Sequence, residues 1–459
     1  MPLPRFSISR FVIFLVGIGA LFPASYAQRF PLKVSPNGRY FVDQAGTPFL
    51  YHADTPWLLP FRLTLDEARE YLIHQKGLGF TTLQVQMSFH INEPNRDGQR
   101  PFADPNDFLT LNERYFDHVG RVVALADSLG LLLSVAPLWK GCCREGYGID
   151  ADKPLQRNGL ARNRWLGQYL GRRFGQYPNL LWIMGGDGDP GGDRAVIEQL
   201  ALGLREFAPQ QLICYHAATT HSSTDLFQYA PWLGFSMVYT YYRDTPNGIG
   251  VPPEQVPQVY EVCLREYRKS DRMPFILGES QYENNMKPVP GTPQQLRRQA
   301  YWALLSGAAG HAVGTNNWEI LPNWRELLGL PGLQSMKHLA ALFGSIRWWT
   351  LRPDQDHRLS QAGYGRYGDA DYVTTGISED STLAVSYFPS SKPLTINLTA
   401  LKGTTRQARW MNAATGRTTP VAAALLARPT TRLTPPAPGD WVLVLEGQNE
   451  RRIKQKTPR

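Results

Sequence analysis

Two acids stand out for the residues that precede them. Asp187 closes the run NLLWIMGGD and Glu279 closes PFILGE, each following glycines that would let a substrate approach the backbone closely. One carboxyl group that gives up a proton and a second that attacks a carbon or activates a water are what glycosidic hydrolysis requires. Other acids compete for attention. Asp187, Asp189 and Asp193 cluster in DGDPGGD, where oxygens at alternating spacing would suit calcium, but the later glutamate of a helix-loop-helix calcium site is missing and Pro190 constrains the loop. Glu283 is the nearest rival of Glu279, whose own alternative is a salt-bridged carboxylate at the rim of the fold. Hydroxyl-bonding groups and flat aromatic faces, the lining that sugars need, recur at the ends of the apolar runs. They are His52, Asp54 and Trp57, then Gln86 and His90, Trp139, His216, Tyr239 and Tyr241, Tyr282, and Asn316 with Trp318. Packing would explain any one of them, so their joint placement is the signal. The mature chain has no His-Glu-x-x-His, P-loop, Gly-x-Ser-x-Gly or dinucleotide fingerprint, and neither a metal nor another cofactor is expected.

Elements that could bring these residues together follow from the apolar pattern. Eight short runs, PFLYHADTPW, FTTLQVQMSFH, LLLSVAPLW, NLLWIMGGD, QLICYHA, GFSMVYTYY, PFILGES and GHAVGTNNWE, alternate with longer helical stretches. Continuous apolar strands of this kind are buried on both faces, as parallel strands under a ring of helices must be. Thr64 with Glu67, and Thr292 with Gln295, have capping-box spacing, and Pro293 falls at a first helical position. Phe116, Val119, Val123 and Ala126 repeat at helical spacing up to a stop at Gly130. The alternation predicts an α/β fold, a (β/α)₈ TIM barrel, whose active site would lie at the carboxyl ends of its strands. An open doubly wound sheet would want a phosphate-binding glycine loop after its first strand, and none is present. Beyond about residue 355 the texture changes to YVTTGI, TLAVSYF, LTINLTA, RQARWMN and DWVLVLE, which reads as a small antiparallel β-sandwich with LTPPAPGD as an internal loop. The expected organisation is 1–27 signal peptide, 28–354 barrel, 355–447 sandwich and 448–459 a disordered basic tail.

The signal peptide is read from Arg5 and Arg10, the apolar run FVIFLVGIGALF and the small-residue stretch ending at Ala27. A dozen apolar residues fall short of the roughly 20 that cross a bilayer, and export to the periplasm or beyond is expected. The formal charge of +9 over 459 residues is concentrated at the ends, since two arginines leave with the leader and NERRIKQKTPR holds five basic residues against one acid. A mildly basic body argues against a nucleic-acid partner. With 42% hydrophobic, 12% aromatic and 19% charged residues, the chain has aromatics to spare for a cleft. Cys142, Cys143, Cys214 and Cys263 allow three pairings, with a vicinal bridge at 142–143 and buried free thiols both open.

With those residues placed, the chain resembles the apiosidase-like glycoside hydrolases, secreted bacterial barrels that carry a small β-domain of the collagen-binding type. The matching stretches are ADTPW, TLDEAREYL leading to GF, APLWKGCCREGYG, NLLWIMGGDGDP, GESQYENN and QAYWALLSGAAGHAVGTNNW, and they span most of the mature chain. The resemblance implies a carbohydrate substrate, an apiose-linked sugar of pectic side chains, with Asp187 and Glu279 as the catalytic pair. It further implies retention of configuration, with Glu279 as nucleophile and Asp187 as acid/base. Val238–Tyr242 departs from the family pattern, which leaves an arabinofuranosidase or another glycosidase open. A non-catalytic carbohydrate- or matrix-binding protein is the rival of a different class, and it has no need of two acids on opposed strands.

Overall fold

The computed structural model describes residues 30–88, 93–104, 106–141, 153–240, 256–269, 273–284, 290–403 and 405–448. The expected signal peptide, the tail beyond residue 448, and His90, Tyr241, Cys142 and Cys143 lie outside the described residues. Cys214 and Cys263 are free, buried thiols.

Each of the eight apolar runs contains a strand: β1 (Tyr51–Asp54), β2 (Thr82–Gln86), β3 (Leu132–Ala136), β4 (Leu180–Gly185), β5 (Ile213–His216), β6 (Ser236–Tyr239), β7 (Phe275–Glu279) and β8 (Gly310–Val313). They form one sheet in the order β5-β4-β3-β2-β1-β8-β7-β6, and every pairing is parallel. Among the described residues no ladder joins β5 to β6. Ser223 bridges that seam, its hydroxyl accepting from the amides of Tyr215 and Met237 and donating to the Tyr215 carbonyl. Helices follow the strands in turn: α1 (Leu65–Gly77), α2 (Glu113–Ser128), α3 (Pro154–Phe174), α4 (Arg194–Phe207), α5 (Ser223–Phe227), α6 (Val259–Tyr267), α7 (Pro293–Leu305) and α8 (Pro331–Ser345). The capping boxes expected at Thr64 and Thr292 are both formed, which satisfies amides that the first turn of a helix leaves open. The apolar face of α2 is buried as its spacing requires, and Gly130 takes the left-handed conformation that ends the helix.

The strand period of two divides the side chains between two layers. Tyr51, Ala53, Leu181, Ile183, Cys214, Met237 and Ile276 fill the barrel, whereas Leu83, Val85, Leu133, Val135 and Trp182 pack outward on the helices. A small antiparallel sheet of Lys33–Val34, Phe41–Val42 and Pro48–Phe49 covers the amino-terminal end of the barrel, where Phe41 meets Phe235 edge-on. None of the described helices is long and apolar enough to cross a membrane.

Parity corrects the placement of two residues expected in the cleft. His52 and Asp54 alternate with inward-facing Tyr51 and Ala53, and so point outward. Asp54 accepts hydrogen bonds from Tyr71 (2.6 Å) and Gln75 (2.7 Å) of α1, and burial raises its pKa to about 6 despite those bonds. His52 stacks on Phe80 and meets His311 of β8 at 3.0 Å, with neither ring exposed. Burial holds both imidazoles below the usual histidine range, His311 at about 3, and the neighbouring His311 adds to the effect on His52. A lowered folded-state pKa means that the unfolded chain takes up these protons first. Stability is therefore kept above about pH 6.5 and lost as the pH falls below it, by up to about 1.4 kcal/mol per pH unit for each ring. In melting curves between pH 7 and pH 5, Tm should change in the destabilising direction by visibly less in His311→Leu than in the parent. Groups with raised pKa values, such as Asp54, act in the opposite sense in both proteins. An unchanged slope in that variant would rule the pair out as the acid-sensitive element.

The carboxyl-terminal part is two antiparallel sheets. The larger has the order β9 (Leu351–Pro353), β11 (Thr374–Ser378), β12 (Leu383–Phe388), β17 (Trp441–Gln448), β14 (Thr405–Asn412), β15 (Thr418–Pro420), and the smaller is β10 (Ser360–Ala362), β13 (Leu394–Asn397), β16 (Thr430–Leu433). Between them lie Ile396, Leu398, Trp410, Leu443 and Leu445. The other face of the larger sheet, with Val385, Tyr387, Val442 and Val444, shares a core with Tyr301, Trp302 and Leu305 of α7. Tyr301 and Tyr387 stack at 4.8 Å across this junction, and Arg297 grips Asp440 with two bonds of 2.8 Å. The sheet is thus part of the outer layer of the barrel.

Candidate active site

The carboxyl ends of the strands bring Asp187, His216 and Glu279 together, with a donor or acceptor atom of each within 4.8 Å of the others. Each is held by its surroundings. Asp187 sits just past β4 in the left-handed region, at φ +51°, a conformation that costs a residue with a side chain roughly 1 kcal/mol. Its amide donates to His216 Nδ1 at 3.1 Å, and its carboxylate accepts from the Trp139 indole at 3.1 Å. His216 Nε2 donates to the Glu279 carboxylate at 2.8 Å. Burial raises the Asp187 pKa to about 7, and the Glu279 charge pushes the same way, against His216 and the hydrogen bonds from Trp139 and Tyr239. For His216 burial works downward, but the bond to Glu279 and the charges of both acids outweigh it and raise the pKa.

Three such donors invite a metal, and the imidazole decides against one. Nδ1 lies between the Asp187 amide and the Ala217 carbonyl at 3.2 Å. The neutral tautomer that accepts the amide carries its proton on Nε2, and the charged ring carries one on both nitrogens; a lone pair for an ion at Nε2 needs the opposite tautomer, whose Nδ1–H would meet the hydrogen of the Asp187 amide. Calcium in DGDPGGD fares no better, because Asp189 turns away to His221 (2.9 Å) and the Ala218 amide, and Asp193 to Gln156 and Lys140. Glu283 is also accounted for: its carboxylate accepts from the amides of Gly332 (2.8 Å) and Leu333 (2.9 Å), capping α8, and it cannot serve the cleft.

Aromatic rings wall the pair. Trp57 and Trp139 meet at 4.8 Å, Trp139 and His216 at 5.0 Å, and His216 and Tyr239 at 4.8 Å. The Trp57 indole donates to Tyr282 at 2.6 Å, and the Tyr282 ring lies on Gly314. Trp318, in the turn Asn316–Glu319 after β8, packs against the cluster that holds Trp57 and Tyr282, and its carbonyl accepts from the Leu58 amide at 3.1 Å, while the Asn316 amide bonds the Glu283 carbonyl at 3.1 Å. Gln86 ends β2 on the inward parity with its amide on the Trp57 carbonyl at 2.6 Å. His216 is fully buried, so no substrate can touch it. The glycines before the two acids serve packing: a Cβ at Gly186 would come within 2.4 Å of the Trp139 ring, and one at Gly278 within 2.1 Å of Met237. Lys140 is a rim residue that the sequence reading passed over. Its ammonium lies against Gly188, the neighbour of Asp187, and its ion pair with Asp193 is long at 4.0 Å. Its place directly after Trp139, at the end of a barrel strand, is the signal that could have found it.

Residues 35–350 match the family "Apiosidase-like, catalytic domain", and 353–446 match the family "Putative collagen-binding domain of a collagenase". Among curated proteins none matches. The chain is similar over 91% of its length to a solved structure titled "Glycoside hydrolase", at 24% identity, a TM-score of 0.79 and 96% of that chain. It is also similar to a glycoside hydrolase family 5 structure from Bacteroides vulgatus, at 23% identity and a TM-score of 0.79, again over 91% of this chain and 93% of the other. These two carry the fold; the family match carries more. A (β/α)₈ barrel whose matched residues hold the carboxyl pair and its aromatic walls makes this chain a member of the apiosidase-like family and a glycoside hydrolase.

Proposed function

We propose that the protein is an exported enzyme that cleaves a glycosidic bond in a pectic polysaccharide or oligosaccharide of the plant cell wall, with retention of configuration. Glu279 attacks the anomeric carbon as the bond to the leaving oxygen breaks, and Asp187 gives its proton to that oxygen. Asp187 then takes a proton from the water whose oxygen displaces Glu279, which returns both groups to their starting forms. The observation that carries this reading is that one oxygen of Asp187 and one of Glu279 lie within 4.8 Å of each other, an approach that suits the 5 to 5.5 Å separation of retaining sites better than the roughly 6.5 Å or more that an inverting water needs. A carboxyl group held near pKa 7 suits the acid. Lys140 at the rim, whose ion pair with Asp193 is long at 4.0 Å, favours a substrate that carries a carboxylate. Export rests on the amino-terminal residues, and sequencing the mature protein from the periplasm or medium tests it.

The decisive assay is a screen against pectic oligosaccharides in which the released sugar and its first-formed anomer are identified. Release only from neutral glycans, or a first product of inverted configuration, would overturn the substrate or the mechanism respectively. The pH dependence adds a further expectation. Since Asp187 must begin protonated, kcat/KM should fall above about pH 7, roughly tenfold per unit, and the limb should vanish with an activated leaving group that needs no protonation.

A further inference from the structure

We propose that His216 is a positioning residue that holds both members of the pair in register, its Nε2–H donated to Glu279 and its neutral Nδ1 accepting the amide of Asp187. This rests on the assignment of Asp187 and Glu279 above.

Three observations support it. The imidazole is fully buried, walled by Trp139 and Tyr239, and therefore meets the reaction only through the two acids. Its two nitrogens reach one acid each, at 2.8 Å to the Glu279 carboxylate and 3.1 Å to the Asp187 amide, so one rigid ring fixes the spacing between the two chain segments. Asp187 also needs such a hold, because its φ of +51° is one that a side-chain-bearing residue leaves when nothing retains it. With that amide pinned, the Asp187 carboxylate accepts from the Trp139 indole N–H and lies within 4.8 Å of a Glu279 oxygen. The accepting role of Nδ1 requires the tautomer protonated on Nε2, which is the tautomer that donates to Glu279.

The two contacts can be removed separately. In His216→Gln the longer side-chain amide can still donate toward Glu279, in His216→Asn the shorter side-chain carbonyl can still accept from the Asp187 amide, and His216→Leu keeps neither. We expect kcat of His216→Leu to fall about 100-fold, with each polar variant intermediate at about tenfold, and KM to stay within about threefold throughout because the ring touches no substrate. Circular dichroism and Tm identify any variant that fails to fold, and the two polar variants keep the test alive if His216→Leu is lost. Folded polar variants as inactive as His216→Leu would make the imidazole a proton carrier and overturn the positioning role, as would wild-type kcat in His216→Leu or a loss confined to KM. Failure of the underlying assignment looks different: Asp187→Asn and Glu279→Gln would then remain active.

Discussion

Asp187→Asn and Glu279→Gln should each lower kcat/KM by about 10³-fold or more on a substrate with a poor leaving group, while the folded signal and Tm remain those of the parent. Both replacements keep the hydrogen-bonding geometry: an amide oxygen at residue 187 still accepts from Trp139, and one at residue 279 still accepts from His216. The loss is therefore chemical. Azide separates the two roles. In Asp187→Asn it should displace the glycosyl-enzyme and give an azide product of retained configuration, whereas in Glu279→Gln it should attack the anomeric carbon itself and give the inverted one. Activity within tenfold of the parent in either variant removes that residue from the mechanism.

The second large effect lies far from the cleft. Arg297 and Asp440 are both nearly fully buried, and Tyr387 adds a third bond to the same carboxylate at 3.1 Å. Asp440→Ala leaves a guanidinium without its partner in an apolar junction, which typically costs about 3–5 kcal/mol. In a chain of this size we expect Tm to fall by about 5 °C or more. Arg297→Met combined with Asp440→Leu should recover most of the loss, because removing both charges leaves nothing to desolvate. A single variant with parental Tm would mean that solvent reaches the arginine.

The sequence and the structure agree where packing follows local pattern. The eight runs became eight strands because buried parallel strands need uninterrupted apolar residues, and the caps at Thr64 and Thr292 formed because a helix's first amides need acceptors close in sequence. What was misread depended on facing. His52 and Asp54 are polar and end a strand, as cleft residues do, yet their parity with Tyr51 and Ala53 sends them to the helices. Glu283 looked like a second candidate acid because the distance to α8, 49 residues on, cannot be seen in a local window. The glycines before Asp187 and Glu279 were legible as close approaches, but what approaches is Trp139 and Met237. The role of His216 was hidden for the same reason, since its two partners lie 29 and 63 residues away.

The sheet that shares a core with α7 bears on how this architecture can be inherited. The two family matches meet between residues 350 and 353, which suggests a catalytic body with a detachable accessory. The apolar surface does not divide there. A chain ending at residue 350 would lay Tyr301, Trp302 and Leu305 open to water, together with the guanidinium of Arg297, and should aggregate. Recombination could not trade the second part for an unrelated module without rebuilding α7, the helix that follows the strand bearing Glu279. The two parts must descend together.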